Sequence, residues 1–133
     1  MAEIVNTSGK RKMAVARASV RDGTGKVRVN RVPVDIMTPE LARLKAMEPL
    51  MLVPERAAKV DIDVSVRGGG VMGQAEAVRT AIAKGLVEFF KDEEMERSFK
   101  LLDRTLVVSD PRRKLPKKPL GRGARKKRQK SYR

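Results

Sequence analysis

Residues 59–70 read KVDIDVSVRGGG, and they decide the fold. Val60, Ile62, Val64 and Val66 alternate with Asp61, Asp63, Ser65 and Arg67, which predicts a strand with one buried face and one wet face. Gly68, Gly69 and Gly70 end it. A helix is predicted from about residue 72 to residue 90, because Val71, Ala75, Val78, Ile82, Leu86 and Phe89 step by three or four and share one side. A half-wet strand followed by a one-sided helix describes a sheet covered by helices on one face.

On the N-terminal side, residues 1–9 are short and polar and are expected to be loose, ahead of the cluster Lys10, Arg11, Lys12. Residues 13–20, MAVARASV, and 26–30, KVRVN, flank the turn residues Asp22, Gly23, Thr24 and Gly25 and predict an antiparallel hairpin. Residues 31–34 continue as an extended piece in which Pro33 marks an edge or a turn. Thr38 is the expected N-cap of a helix with Pro39 at its first position and Glu40 near its positive end. That helix is expected to stop near Glu48, before Pro49, with one further turn over residues 50–53. On the C-terminal side, Asp92, Glu93 and Glu94 open a helix to about Asp103 with Met95, Phe99 and Leu102 inward. Residues 105–109, TLVVS, are a candidate final strand. Residues 1–110 thus predict one α+β domain, a small mixed β-sheet with helices on one side.

Residues 111–133, PRRKLPKKPLGRGARKKRQKSYR, are of another kind. They hold twelve Lys or Arg and no acid, so subtracting them from the whole-chain +15 leaves only +3 for the domain. Three prolines, two glycines and four apolar side chains cannot offset the entropy of ordering this backbone, so an extended tail, disordered without RNA, is expected. At ~3.3 Å per residue it reaches roughly 75 Å. A nuclear-import signal needs only five to eight basic residues, and an interfacial membrane helix needs a bulky apolar face that this tail lacks.

Composition narrows the chemistry. The chain has no cysteine and no histidine, which removes disulfides, thiolate metal sites and the commonest general base, so neither an enzyme nor a cofactor or metal is expected. No long apolar run points to a membrane or to export. A pI near 10.8 implies a polyanionic partner, and aromatics at 3% argue against base-stacking platforms. The loop Gly68-Gly69-Gly70-Val71-Met72-Gly73 matches the dinucleotide fingerprint G-x-G-x-x-G, but its strand alternates instead of being buried on both faces, and no acid-ended parallel strand follows. Gln74 and Ala75 also stand where a phosphate-binding loop needs Lys and Ser or Thr. A tight turn whose N–H groups grip an RNA phosphate reconciles the glycines with the charge.

Four segments carry a resemblance: Gly9 through Arg17 (GKRKMAVAR), Val66 through Ala83 (VRGGGVMGQAEAVRTAIA), Asp110-Pro111-Arg112-Arg113, and Gln129-Lys130-Ser131-Tyr132-Arg133. Together they resemble the universal small-subunit ribosomal protein nine family in its archaeal or eukaryotic form, over nearly the whole chain. The resemblance implies a fold like the second domain of ribosomal protein five, with a left-handed β-α-β crossover. It implies a cytoplasmic place in the head of the small ribosomal subunit, with 16S-type rRNA, P-site tRNA and neighbouring head proteins as partners, and no membrane, small-molecule substrate or homo-oligomer. By position, Lys130, Ser131, Tyr132 and Arg133 would approach the anticodon stem-loop of tRNA. Lys10, Arg11, Lys12, Arg17, Gly68, Gly69 and Gly70 would meet rRNA, as would Arg112, Arg113, Lys114, Lys117, Lys118, Arg122, Arg125, Lys126, Lys127 and Arg128 along the tail.

Overall fold

The computed structural model describes residues 3–132. Its centre is the predicted strand, β5 (Val60–Arg67), with Val60, Ile62, Val64 and Val66 buried and Asp63, Ser65 and Arg67 exposed. It runs antiparallel to β2 (Ala14–Asp22) on one side and parallel to β3 (Val27–Val29) on the other. Strands β1 (Ile4–Arg11) and β4 (Val32–Pro33) form the edges, giving a five-stranded mixed sheet in the order β1-β2-β5-β3-β4. Helix α3 (Val71–Phe90) lies across β1, β2 and β5, and α1 (Glu40–Leu52), the one-turn α2 (Pro54–Ala57) and α4 (Glu93–Leu102) complete the helical side. The core lies between them, and none of its members falls beyond Val107. The α+β class and the one-sided helical cover are as expected.

Several local expectations are corrected. Residues 4–11 are a full strand: Val5, Thr7 and Gly9 point inward, and Thr7 Oγ1 donates to the Ala81 carbonyl of α3 at 2.9 Å. The hairpin partner of β2 is therefore β1, joined through Lys12 and Met13 with Lys12 at φ 54, while β3 crosses to the far side of β5. Asp61 explains the crossover, since its carboxylate accepts the N–H groups of Thr24 and Lys26 at 2.9 and 3.0 Å and fixes the loop over β5. At the end of β3, the Asn30 side chain prolongs the ladder by accepting from Val66 N–H and donating to its carbonyl.

Helix α1 has Pro39, not Thr38, as its N-cap and runs through Pro49 to Leu52. Pro49 forfeits one helical hydrogen bond. It continues the buried row of Ala42 and Ala46, and packing of that row outweighs the loss. In α4, Asp92 caps Glu94 and Met95 as an acidic helix start should, but Leu102 is exposed beside buried Met95 and Phe99. Val71, at the exposed start of α3, is also outside the core. Residues 105–109 do not form a strand: Asp103 captures the N–H and hydroxyl of Thr105 and winds Arg104–Leu106 into a 3-10 turn.

Candidate nucleic-acid interface

The strand directions bring several of the chain's cations together. The C-terminal ends of β1, β3 and β5 and the N-terminal end of β2 all lie at one end of the sheet. Lys10, Lys12, Arg31, Arg67 and the glycine loop therefore come together there. The tail starts at the same place, because Asp110 makes a parallel bridge to Arg11.

Each glycine of the loop has its own reason. Gly68 and Gly69 have φ of 78° and 67°, and a Cβ on Gly68 would sit 2.5 Å from the Met13 carbonyl oxygen. These two serve the turn and its packing on the β1–β2 hairpin. Gly70 is different, since a Cβ there would meet nothing within 4 Å. It is the exposed N-cap of a 20-residue helix whose first turn carries no acid, so the positive end of α3 faces open space. The dinucleotide reading loses further ground, because α3 is followed by α4 and no parallel strand.

Arg11, grouped with Lys10 and Lys12 by sequence, is committed internally. Its Nε donates to Glu76 at 2.6 Å and its Nη1 lies 2.9 Å from Asp110, while Asp110 also holds Arg112 at 2.7 Å. This knot fastens the root of the tail to β1 and α3. Hydrogen bonds from the Arg112 side chain and N–H, with the nearby Arg11 charge, hold the Asp110 carboxyl down to about 2. A depressed carboxyl adds stability that is present above its unfolded value of 3.8 and fades as pH falls through about 2. NMR titration should therefore find the knot intact at pH 5, with the Asp110 carboxyl midpoint near 2. A midpoint at 3.8 would mean that the root of the tail is not clamped.

Sequence reasoning missed a second internal cation, Arg79 in α3, which is only 3% exposed. It lies 2.6 Å from Glu48 of α1 and donates to Asp103 and Thr105 at 2.8 and 3.1 Å, joining α1, α3 and the 3-10 turn. Burial raises the Asp103 carboxyl, but the bonds from Arg79 and Thr105 win and hold it below the ordinary range. The signal was present, because Arg79 stands four residues after buried Ala75 on the inward side of the helix.

Among the described residues, the remaining predicted cations are uncommitted. Lys10, Lys12 and Arg17 are exposed and in no ion pair. Residues 111–132 form no helix or strand and turn back locally near Gly121. Arg113 reaches the Met13 sulfur at 3.8 Å. Lys114, Lys117, Lys118, Arg122, Arg125, Lys126, Lys127, Arg128 and Lys130 are exposed and without an ion-pair partner among the described residues, and Ser131 and Tyr132 are exposed beside them. Arg133 lies outside the described residues.

A sheet that gathers free cations at one end, and sends an acid-free arm out from that end, is the design of a polyanion-docking protein. The chain belongs to the ribosomal protein S9/S16 family, whose model matches residues 9–133. It is 53% identical over 131 residues to small ribosomal subunit protein uS9 of Methanothrix thermoacetophila, covering 98% of this chain and 99% of that one. It is similar to the proteins of the same name from Picrophilus torridus, at 49% over the full length of both, and Thermoplasma volcanium, at 53% over 98% of this chain and 99% of the other.

Proposed function

We propose that the chain is a structural, non-catalytic constituent of the small ribosomal subunit that docks its domain on 16S-type rRNA in the subunit head. From there the arm runs through rRNA to contact P-site tRNA. The carrying observation is the convergence of the hairpin turn, the glycine loop and the clamped root of the tail at one end of the sheet. Contacts of this kind go to phosphates and position RNA without reading its sequence. The arm takes one path only against its RNA, threading gaps where phosphates converge, and its last residues, Lys130, Ser131, Tyr132 and Arg133, meet the anticodon stem-loop. Neighbouring head proteins complete the partners.

Deleting residues 131–133 tests the reach of the arm. A charge-assisted hydrogen bond contributes about 1.5–3 kcal/mol, so P-site tRNA affinity should fall roughly tenfold or more, with the protein still on the subunit. Unchanged tRNA affinity in subunits carrying the shortened chain would sink the tRNA contact and leave the rRNA role standing.

A further inference from the structure

The helices cover one face of the sheet and leave the other open. In register across that open face run Ser8, Arg17 and Ser65, then Lys10, Val15 and Arg67, then Asn6, Ser19, Asp63 and Arg28. A polar outer face is ordinary for such a sheet. The distribution of charge on this one is uneven. Toward the Asp22 end, Arg21 faces Asp63 at 3.3 Å and Asp61 is held by the N–H groups of Thr24 and Lys26. From mid-sheet toward the Gly68 end, Arg17, Arg28, Arg31 and Arg67 are exposed and have no carboxylate partner among the described residues; Asp63, opposite Arg28 in register, lines the same groove but is paired with Arg21.

We propose that this open face, at its Arg17, Arg28, Arg31 and Arg67 end, seats the sugar-phosphate backbone of an A-form RNA helix. The inference rests on the ribosomal reading and adds a surface to it, since only Arg17 of these four was legible as a site residue. Charge complementarity names the occupant. Four guanidiniums, each a planar fork that fits phosphate, rise from three strands and the β3–β4 turn around a shallow groove. Between them Ser65, and Ser19 with its hydroxyl donated to Asn6 Oδ1 at 2.7 Å, keep the surface low enough to let a backbone approach, and their oxygens can accept from a 2′-hydroxyl. No aromatic side chain lies on this face, so bases are not stacked here, and a duplex recognised by shape through phosphates and 2′-hydroxyls fits best. A protein partner fits poorly, because the apolar side chains at this end, half-buried Val15, Pro33 opposite Arg28 and Met13 in the hairpin turn, are outnumbered by cations, and an interface core is depleted of charge.

The test uses the full chain, a head-domain transcript of archaeal 16S rRNA, and filter binding across a KCl series. The variant Arg17→Gln/Arg28→Gln/Arg67→Gln is compared with a charge-matched control, Lys59→Gln/Lys91→Gln/Arg104→Gln, whose positions are exposed and outside the strands and the groove that carry the four arginines. All six side chains are on the surface, so both variants should melt with the parent. The sheet variant should bind at least about tenfold more weakly and lose about 2–3 from its salt slope, while the control changes by less than about threefold. If the parent chain binds and the two variants match each other, the open face is not an RNA seat and the proposal falls alone. If the parent chain itself fails to bind the transcript, the ribosomal reading falls with it. Unchanged RNA affinity together with failure to assemble with other small-subunit proteins would give the face to protein and overturn the proposal.

Discussion

Removal of residues 111–133 should lower affinity for small-subunit rRNA by at least about a thousandfold near 0.15 M salt and flatten the salt dependence steeply. Each phosphate neutralised contributes about 0.7–0.9 to the slope of log K against log salt, so twelve cations in contact would account for about 8–11 of it. The shortened chain keeps its fold, because no core residue lies beyond Val107 and Asp110 remains to pair with Arg11. It should also keep selectivity for its own RNA, which belongs to the domain. Filter binding of both forms to the head-domain transcript, against an unrelated duplex as competitor, measures affinity, slope and selectivity together. A tail peptide matching the whole chain in affinity and selectivity would instead make this a nonspecific polycation, a free nucleic-acid chaperone with a dispensable domain.

The largest effect on stability should come from a single methyl group. Gly9 of β1 lies so close to α3 that a Cβ would sit 2.3 Å from the Ala77 carbonyl oxygen and 2.7 Å from the Ala81 nitrogen. Both are helix backbone and cannot rotate away, so Gly9→Ala must push α3 off the sheet. The expected cost is about 3 kcal/mol or more, at the upper end for overpacking, and about 10 °C or more in Tm for a domain of this size. Thermal unfolding followed by circular dichroism reads it directly. A variant melting within about 2 °C of the parent would show that β1 and α3 do not meet this closely.

The elements legible in the sequence were those whose period is clean. β5 alternates strictly, α3 repeats its apolar side over five turns, and glycines punctuate the junction, so both were read nearly to the residue. β1 was hidden by the packing it makes. Its inward positions are Val5, Thr7, Gly9 and Arg11, small or polar because the helix backbone comes so near or because a partner waits to take the polar group. Periodicity could not show that β2 pairs with β1 and β5 while β3 crosses over, because that order is set by contacts distant in sequence, such as Asp61 with the loop at Thr24 and Lys26. The apolar run at residues 105–109 looked like a strand, but one carboxylate, Asp103, turned it.

The candidate site divides in the same way. The basic arm was plain from composition. Whether a given cation was free was not, since Arg11 and Arg17 look alike in sequence and differ by Glu76 and Asp110, which the fold brings to the first alone. Arg28, Arg31 and Arg67 belong to no basic run in the sequence, and only strand register assembles them.

In the function proposed for this chain, one end of the sheet docks the domain on rRNA and launches the arm toward tRNA. A density map of small subunits carrying this chain and P-site tRNA tests it most directly. The prediction is rRNA backbone against the Gly70 and Arg67 end, the arm leaving from the Arg11–Asp110 knot between RNA helices, and its last residues at the anticodon stem-loop. A map with that end of the sheet facing solvent, or with the arm lying on the subunit surface away from tRNA, would contradict it.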